Sequence, residues 1–303
     1  MNQLKQILVG WDFSPGAEAA LAQATRLAAW NESHLTVLHV IDEELIDHLA
    51  ATLYQSRETV AAEALQTAVA EIDNRLARAG IAATSRVIVG SPLHELLTAT
   101  MATQADLLVI GARSNAKSGA STGTLATKLI RKASTKVMLV QPDHAGPYRT
   151  IMACVDYSEN STEAVKQALR IAGRDGSSVH CLHVFEPPWN NLNYRLPKIA
   201  IQPDLQNHFE ASMLARLRAF VGAAGGRSEL AAVHGAEHHS RGITEFAQQI
   251  RANLIVLGTH GHSRLQYLLL GSTVEGLLRD LQCSVLTIRA KDAPNVFNLA
   301  KKL

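Results

Sequence analysis

The sequence predicts an α/β protein made of two tandem copies of one doubly wound domain, each built on a five-stranded parallel sheet. The chain repeats itself: KQILVGWDFSPGAEAALAQATRLA near the start aligns with RTIMACVDYSENSTEAVKQALRIA at an offset of 144 residues. Short continuous apolar runs alternate with segments of helical periodicity, a pattern typical of parallel strands covered by helices on both faces. A length of 303 residues suits two domains of this size.

The elements of the first copy follow one another in a regular order. Buried strands are predicted where uninterrupted apolar runs lie, at residues 6–9, 35–40, 85–89, 107–110 and 136–140. Helices are predicted where apolar residues recur every three or four positions, at residues 15–28, 58–79, 93–103 and 124–132. Ser14 before Pro15 is typical of a helix start, and Gly80 of a helix end.

The second copy keeps the same order. His39–Val40 aligns with His183–Val184, ADLLVIGA (105–112) with ANLIVLGT (252–259), and STKVMLV with QCSVLTI. Between the copies, the stretch PDHAGPY supplies turn-forming residues. We therefore expect domains at residues 1–143 and 149–303.

The composition limits the class of function. A net charge of +2 and 5% aromatic residues, with no polybasic stretch, argue against nucleic acid as the main partner. The apolar runs are too short to span a bilayer, and the first residues lack the pattern of a signal peptide. Cys154, Cys181 and Cys283 lie in strand-like runs, so we expect buried, reduced thiols in a cytoplasmic protein.

Three elements of the second copy are predicted to meet at one crevice. Sheets of this class bind ligands beyond the carboxyl ends of their strands, where the strand order reverses. Asp156, Val184 and Gly258 each stand at the carboxyl end of a predicted strand. An aspartate there repels phosphate, but its carboxylate accepts hydrogen bonds from a ribose hydroxyl or an adenine amine.

The stretch GTHGHSRLQYLLLGS (258–272) predicts a phosphate clamp. Gly258 and Gly261 form a turn whose amides cradle an anion, and Gly271 opens a helix whose N-terminus favours phosphate. Further donors are supplied by His260, His262, Arg264, Ser272 and Thr273. The P-loop motif is absent, and so is a GxGxxG fingerprint after the first strand, so neither common nucleotide motif accounts for the site.

The order of these motifs resembles that of the universal stress protein family, over nearly the whole chain as a tandem pair of domains. The resemblance rests on the aspartate after the first strand, the His-Val pair ending the second, and two glycines followed after nine residues by Gly-Ser. It implies a Rossmann-like, adenine nucleotide α-hydrolase-like fold that binds ATP or AMP, with Mg²⁺ accompanying the nucleotide, in a stress-response or signalling role. From the motifs and the resemblance together, the predicted nucleotide-binding residues are Val155, Asp156, Val184, Leu257, Gly258, His260, Gly261, His262, Arg264, Gly271, Ser272, Thr273 and Val274.

The resemblance also bears on assembly. Single-domain relatives pair through their last strands, so we expect Val137–Val140 and Val285–Ile288 to join edge to edge within this chain, which would cover two exposed sheet edges. A homodimer is a further expectation. The stretch Phe185–Pro203 is rich in proline and aromatic residues and is unlike its counterpart in the first half. A lid over the crevice and a partner surface are both open alternatives for it.

The first copy departs from the nucleotide pattern. Ser114 stands where the second glycine is expected, and only eight residues then precede the next Gly-Thr pair. Loss of one residue shifts the helix start relative to the turn, and a misplacement of about 1 Å weakens preorganised contacts. We therefore expect the nucleotide mainly in the C-terminal domain. A weak first site would be formed by Asp12, Val40, Gly111, Gly123 and Thr124, with Lys117 and Lys128 nearby.

Thirteen histidines raise the alternative of metal chemistry. His234, His238 and His239 lie at or after the third strand of the second copy, and imidazole is a common zinc ligand, but their spacing matches no compact metal motif. His39 and His183 are expected to be hydrogen-bonded residues near the core.

The leading function is a nucleotide-binding module that is not a fast enzyme, with no catalytic residue assigned. The alternatives are a slow ATPase or metal-assisted hydrolase using the histidine-rich rim, and a scaffold that binds nothing.

Overall fold

Each half of the chain folds into its own α/β unit. The computed structural model describes residues 4–112, 124–188, 203–227, 230–259, 271–280 and 283–289. Within these ranges the chain divides into two units between Gly146 and Pro147.

The first unit is built on a five-stranded parallel sheet. Its elements are β1 (Gln6–Trp11), α1 (Pro15–Asn31), β2 (His34–Asp42), α2 (Glu43–Leu53), α3 (Arg57–Ala79), β3 (Thr84–Gly90), α4 (Pro92–Ala102), β4 (Leu107–Gly111), α5 (Thr124–Lys132) and β5 (Lys136–Val140). The strands lie in the order β3-β2-β1-β4-β5. Ile7 of β1 pairs in parallel with Leu35 of β2 and with Leu107 of β4. The strand order therefore reverses between β1 and β4, which places the topological switch point at their carboxyl ends.

The second unit repeats this arrangement. Its elements are β6 (Thr150–Cys154), α6 (Glu159–Asp175), β7 (Ser178–Phe185), α7 (Pro203–Ala223), β8 (Ala231–Gly235), α8 (His239–Gln249), β9 (Leu254–Gly258), α9 (Ser272–Asp280) and β10 (Ser284–Ile288). Its strands lie in the order β8-β7-β6-β9-β10, with every pair parallel. The switch point of this sheet lies between β6 and β9.

Helices cover both faces of each sheet. α4 contacts α5 in the first unit, while in the second α6 contacts α7 and α8 contacts α9. Leu8, Val109 and Met138 are fully buried in the first sheet, as are Met152 and Val256 in the second. The hydrophobic core of each unit is thus formed on the strands, as the apolar runs predict. No helix in the described part of the chain is both long and apolar enough to cross a bilayer.

The predicted class, α/β with five parallel strands in each unit, is confirmed, but α2 is missing from the predicted elements. This helix begins directly after β2, with Asp42 capping its first turn and no loop between the two elements. Ile46 and Ala50 of α2 pack in one buried cluster with Val60 of α3. The sequence does carry a signal for this helix, because Leu45, Leu49 and Leu53 recur every four residues after the capping aspartate.

The cysteines carry free thiols, as the sequence predicts, although only two of them are buried. Cys181 and Cys283 are buried, whereas Cys154 is half-buried. Burial raises the pKa of Cys181 to about 11 and that of Cys283 to about 12. These two thiols therefore stay protonated and are poor nucleophiles at neutral pH.

In the first unit, α1 and β4 meet backbone to backbone. A Cβ added at Gly16 would overlap the carbonyl oxygen of Ala112, and one added at Gly111 would overlap the carbonyl carbon of Gly16. Glycine is therefore required at both positions by the close approach of the helix to the strand end.

We expect Gly16→Ala to lower the free energy of unfolding of the first unit by about 2 kcal/mol or more, because the new methyl group forces α1 away from β4. Gly173→Ala in α6 is the matched control, since a Cβ there meets no atom within 4 Å. That substitution should be neutral or stabilising by up to about 1 kcal/mol. Urea denaturation followed by circular dichroism compares the two, and equal stabilities would contradict the packing argument.

Candidate functional site

An aspartate is fixed by the same turn at the carboxyl end of the first strand in both units. Asp12 Oδ1 accepts hydrogen bonds from the backbone N–H of Ser14 at 3.1 Å and from its hydroxyl at 2.5 Å. Asp156 Oδ1 accepts the equivalent bonds from Ser158 at 3.0 Å and 2.5 Å. Both serines also cap the helix that follows, α1 or α6. Each carboxylate is thereby held at the switch point, beside the start of a helix.

A histidine ring fixes the backbone just before each aspartate. His39 Nδ1 lies 2.7 Å from the carbonyl oxygen of Trp11, and His183 Nδ1 lies 2.7 Å from that of Val155. A carbonyl can only accept, so the proton sits on Nδ1 in both rings. The expectation of hydrogen-bonded histidines near the core is confirmed, and their role is to tie β2 to the end of β1 and β7 to the end of β6.

An aromatic residue after each aspartate completes the turn. Phe13 and Tyr157 adopt left-handed backbone angles, with φ of 60° and 66°. Their rings pack on His39 and His183, with centroids 4.8 Å and 4.6 Å apart. The guanidinium of Arg216 lies 4.0 Å from the centre of the Tyr157 ring, which is a cation–π contact. Sequence reasoning did not single out these aromatic residues, although both directly follow the repeated aspartate.

In the second unit, the end of β9 lies beside the start of α9. A Cβ placed on Gly271 would lie 3.6 Å from the carbonyl oxygen of Thr259, which directly follows Gly258. The backbone N–H of Thr259 donates to the carbonyl oxygen of Ile288 at 3.0 Å, which ties the end of β9 to β10. The backbone N–H of Val274 donates to the Gly271 carbonyl at 2.9 Å and begins the helix. The end of β9 at Gly258 and the start of α9 at Gly271, which are two parts of the predicted phosphate clamp, are thus neighbours.

The other predicted residues of the second unit divide into two groups. Val155, Val184, Leu257 and Val274 are buried, and Thr273 is half-buried in the first turn of α9. Ser272 is the first residue of α9. His260, Gly261, His262 and Arg264 lie outside the described residues, as does most of the stretch Phe185–Pro203.

The first unit contains a cavity of about 560 Å³ at the corresponding place. Asp12, Val40 and Gly111, from the predicted weak site, line it together with Trp11 and Lys128. Trp11 stands where the second unit has Val155. Of the other two predicted residues, Gly123 lies outside the described part of the chain, and Thr124 is the first residue of α5.

Gly111 is predicted to belong to the weak first site, but the structure gives a packing reason for glycine at this position. The space beside Gly111 is filled by the backbone of Gly16 and Ala17. The glycine that ends β4 is therefore a packing requirement and is not by itself a sign of a ligand.

The structure does not gather the candidate metal ligands. His234 Nε2 lies 3.5 Å from Glu245 Oε2, an ion pair when the imidazole is protonated. His238 and His239 were expected in a loop, but His238 precedes α8 and His239 is its first residue. Within the ranges that the structure describes, no three His, Cys, Asp or Glu side chains come close enough to hold a metal ion. The described histidines therefore provide no support for a metal-assisted hydrolase.

The stability of the protein should fall below neutral pH, in part through His183. Burial lowers the pKa of this imidazole from its ordinary value of 6.5. As the pH falls below that value, the unfolded chain takes up a proton that the folded chain resists, so unfolding becomes more favourable. Urea midpoints at about pH 7.5 and about pH 5.5 should differ less for His183→Gln than for the unchanged chain. An identical pH dependence would contradict this assignment.

Comparison with known proteins agrees with the duplicated fold. The model of the Universal stress protein family matches residues 3–141 and 147–289. A universal stress protein of Mycolicibacterium smegmatis is 26% identical over 298 residues, covering 94% of this chain and 97% of that protein. One from Mycobacterium bovis is 25% identical, covering 96% of each chain.

Solved structures share the fold over the whole chain. A protein of unknown function from Pseudomonas aeruginosa aligns with a TM-score of 0.71 at 20% identity, covering 99% of this chain and 98% of that one. A universal stress protein from Archaeoglobus fulgidus aligns with a TM-score of 0.65 at 18% identity, covering 95% and 99%. With the family model matching both halves, this chain belongs to the universal stress protein family as a tandem pair of its domains.

Proposed function

We propose that this chain binds an adenine nucleotide, ATP or AMP, at the carboxyl edge of the second sheet, and that occupancy changes its affinity for a partner in a stress response. The observation that carries the proposal is the adjacency of Gly271 and Thr259, 3.6 Å between the Cβ position of one and the carbonyl oxygen of the other. It brings the start of α9 to the end of β9. The free amides of a helix N-terminus and the helix dipole favour a phosphate group there.

The position of Asp156 supports one orientation of the bound nucleotide. Asp156 follows β6, and β6 pairs directly with β9, so the carboxylate and the start of α9 lie at the same edge of the sheet. A carboxylate repels phosphate but accepts hydrogen bonds from ribose hydroxyls or from the adenine amine. We therefore place the base and ribose beside Asp156 and the phosphates beside α9. His260, Gly261, His262 and Arg264 belong to this proposal through the sequence motif.

The first unit supports nucleotide binding less well. In this unit Asp12 is held by the same kind of aspartate–serine turn that holds Asp156 in the second unit. Its Gly111 serves helix packing, and its clamp lacks the second glycine because Ser114 stands there. We therefore propose one principal nucleotide site per chain, in the second unit.

Asp156→Ala should weaken ATP binding roughly 10- to 100-fold, the range expected for losing hydrogen bonds to a charged group. Asp12→Ala is the matched control, because both substitutions remove the same aspartate–serine turn ahead of a helix. It should change ATP affinity less than about twofold. Isothermal titration calorimetry of the full chain measures both affinity and stoichiometry.

Three calorimetric results would contradict the proposal. They are an absence of binding by both ATP and AMP, two sites of similar affinity per chain, and an equal loss of affinity in Asp12→Ala and Asp156→Ala. The last two would place a working nucleotide site in the first unit as well.

Gly271→Ala tests whether the phosphates bind where the start of α9 meets the end of β9. The added methyl group would make only an ordinary contact with Thr259, so the fold should be retained. The methyl would occupy space where a phosphate oxygen approaches the amides of α9, so ATP affinity should fall about tenfold. Unchanged ATP affinity, with an unchanged melting temperature, would place the phosphates elsewhere.

A further inference from the structure

The cavity of the first unit has mainly aliphatic walls. Its volume is about 560 Å³, within the range of roughly 300–1,000 Å³ that is usual for small-molecule sites. Apolar residues from β2, β4, α4 and α5 line it, among them Leu38, Val40, Leu93, Leu96, Ile110 and Leu129. Such a lining favours a ligand with a large apolar surface.

Two further leucines of the lining remain in contact with solvent. Leu45 of α2 is 51% exposed, and Leu125 of α5 is 36% exposed. Both line the cavity. Large aliphatic side chains that surround a concave opening are typical of a binding site whose occupant covers them. An apolar ligand in the cavity would remove part of this leucine surface from water.

The charged groups among the described residues of the lining do not attract an anion. These residues contribute two carboxylates, from Asp12 and Asp42, and one ammonium group, from Lys128. Asp42 Oδ1 already accepts a hydrogen bond from the backbone N–H of Glu44 at 3.1 Å. Within this part of the lining, negative groups outnumber positive ones.

Trp11 also belongs to the lining, as a mostly buried side chain. The residue lines the cavity and is 3% exposed. Its indole nitrogen is fully buried, out of reach of a molecule in the cavity. Trp11 therefore offers a ligand no polar contact through its N–H.

From these observations we infer that the first unit holds a second ligand site, for an uncharged, mainly apolar small molecule. This site is separate from the proposed nucleotide site. The first copy has thus kept the crevice at the switch point while its lining selects a different class of ligand.

The test uses Nile red, a neutral apolar dye with a carbonyl group, titrated into the full chain and followed by its fluorescence. Leu45→Lys and Leu125→Lys should each weaken dye binding at least about fivefold, because each removes apolar contact area at the cavity. Leu53→Lys is the matched control: Leu53 lies on the same helix as Leu45, is 55% exposed, and is not part of the cavity lining. It should leave the dye affinity unchanged. Saturating ATP should not displace the dye.

Circular dichroism and thermal melting of every variant establish that the fold is retained. Because two of the three leucine positions tested line the cavity and all three are partly exposed, loss of folding in one variant still leaves a comparison.

The inference is overturned by any of three results. They are no saturable dye binding to the unchanged chain, equal effects of Leu45→Lys and Leu53→Lys, and displacement of the dye by ATP. Failure of the proposed nucleotide site gives a different result, since calorimetry would then show no ATP binding while the dye still binds. The two proposals are therefore tested separately.

Discussion

The hydrogen bond from a histidine ring to the last carbonyl before the aspartate organises the carboxyl edge of both units. It joins the first two strands of each sheet at 2.7 Å in both copies. The next residue is the aspartate, whose carboxylate is held by the serine that caps the following helix. Strand end, carboxylate and helix start are therefore fixed by one connected set of hydrogen bonds. The contacts proposed between Asp156 and a nucleotide depend on this geometry.

The two copies share this framework and differ in what surrounds it. Trp11 in the first unit stands where Val155 stands in the second. The bulkier indole carries a donor that valine lacks. At the other side of the crevice, Leu125 in the first unit stands where Thr273 stands in the second. Duplication has thus preserved the backbone arrangement while the side chains around it have changed in polarity.

The sequence alone predicts most of the fold, because buried parallel strands read as apolar runs and helices as apolar residues at helical spacing. The fold class predicts a crevice at the carboxyl ends of the strands, but the order of the strands is not among the predictions. Helix α2 is also missing from them, although Asp42 caps its start and Leu45, Leu49 and Leu53 recur every four residues. The site is predicted in part. Asp156 and Gly271 lie at the expected edge, but the role of Gly111 depends on how closely another segment's backbone approaches it. Spacing along the chain does not encode that distance.

The close approach of Gly16 to Gly111 fixes one side of the first crevice. Gly111 lines the cavity, and the backbone of Gly16 and Ala17 fills the space beside it, so α1 cannot shift toward β4 without backbone overlap. The residues that α2, α4 and α5 contribute to the lining include leucines, whose side chains can change rotamer while the backbone stays in place. Guests of different size would therefore be accommodated first by these side chains.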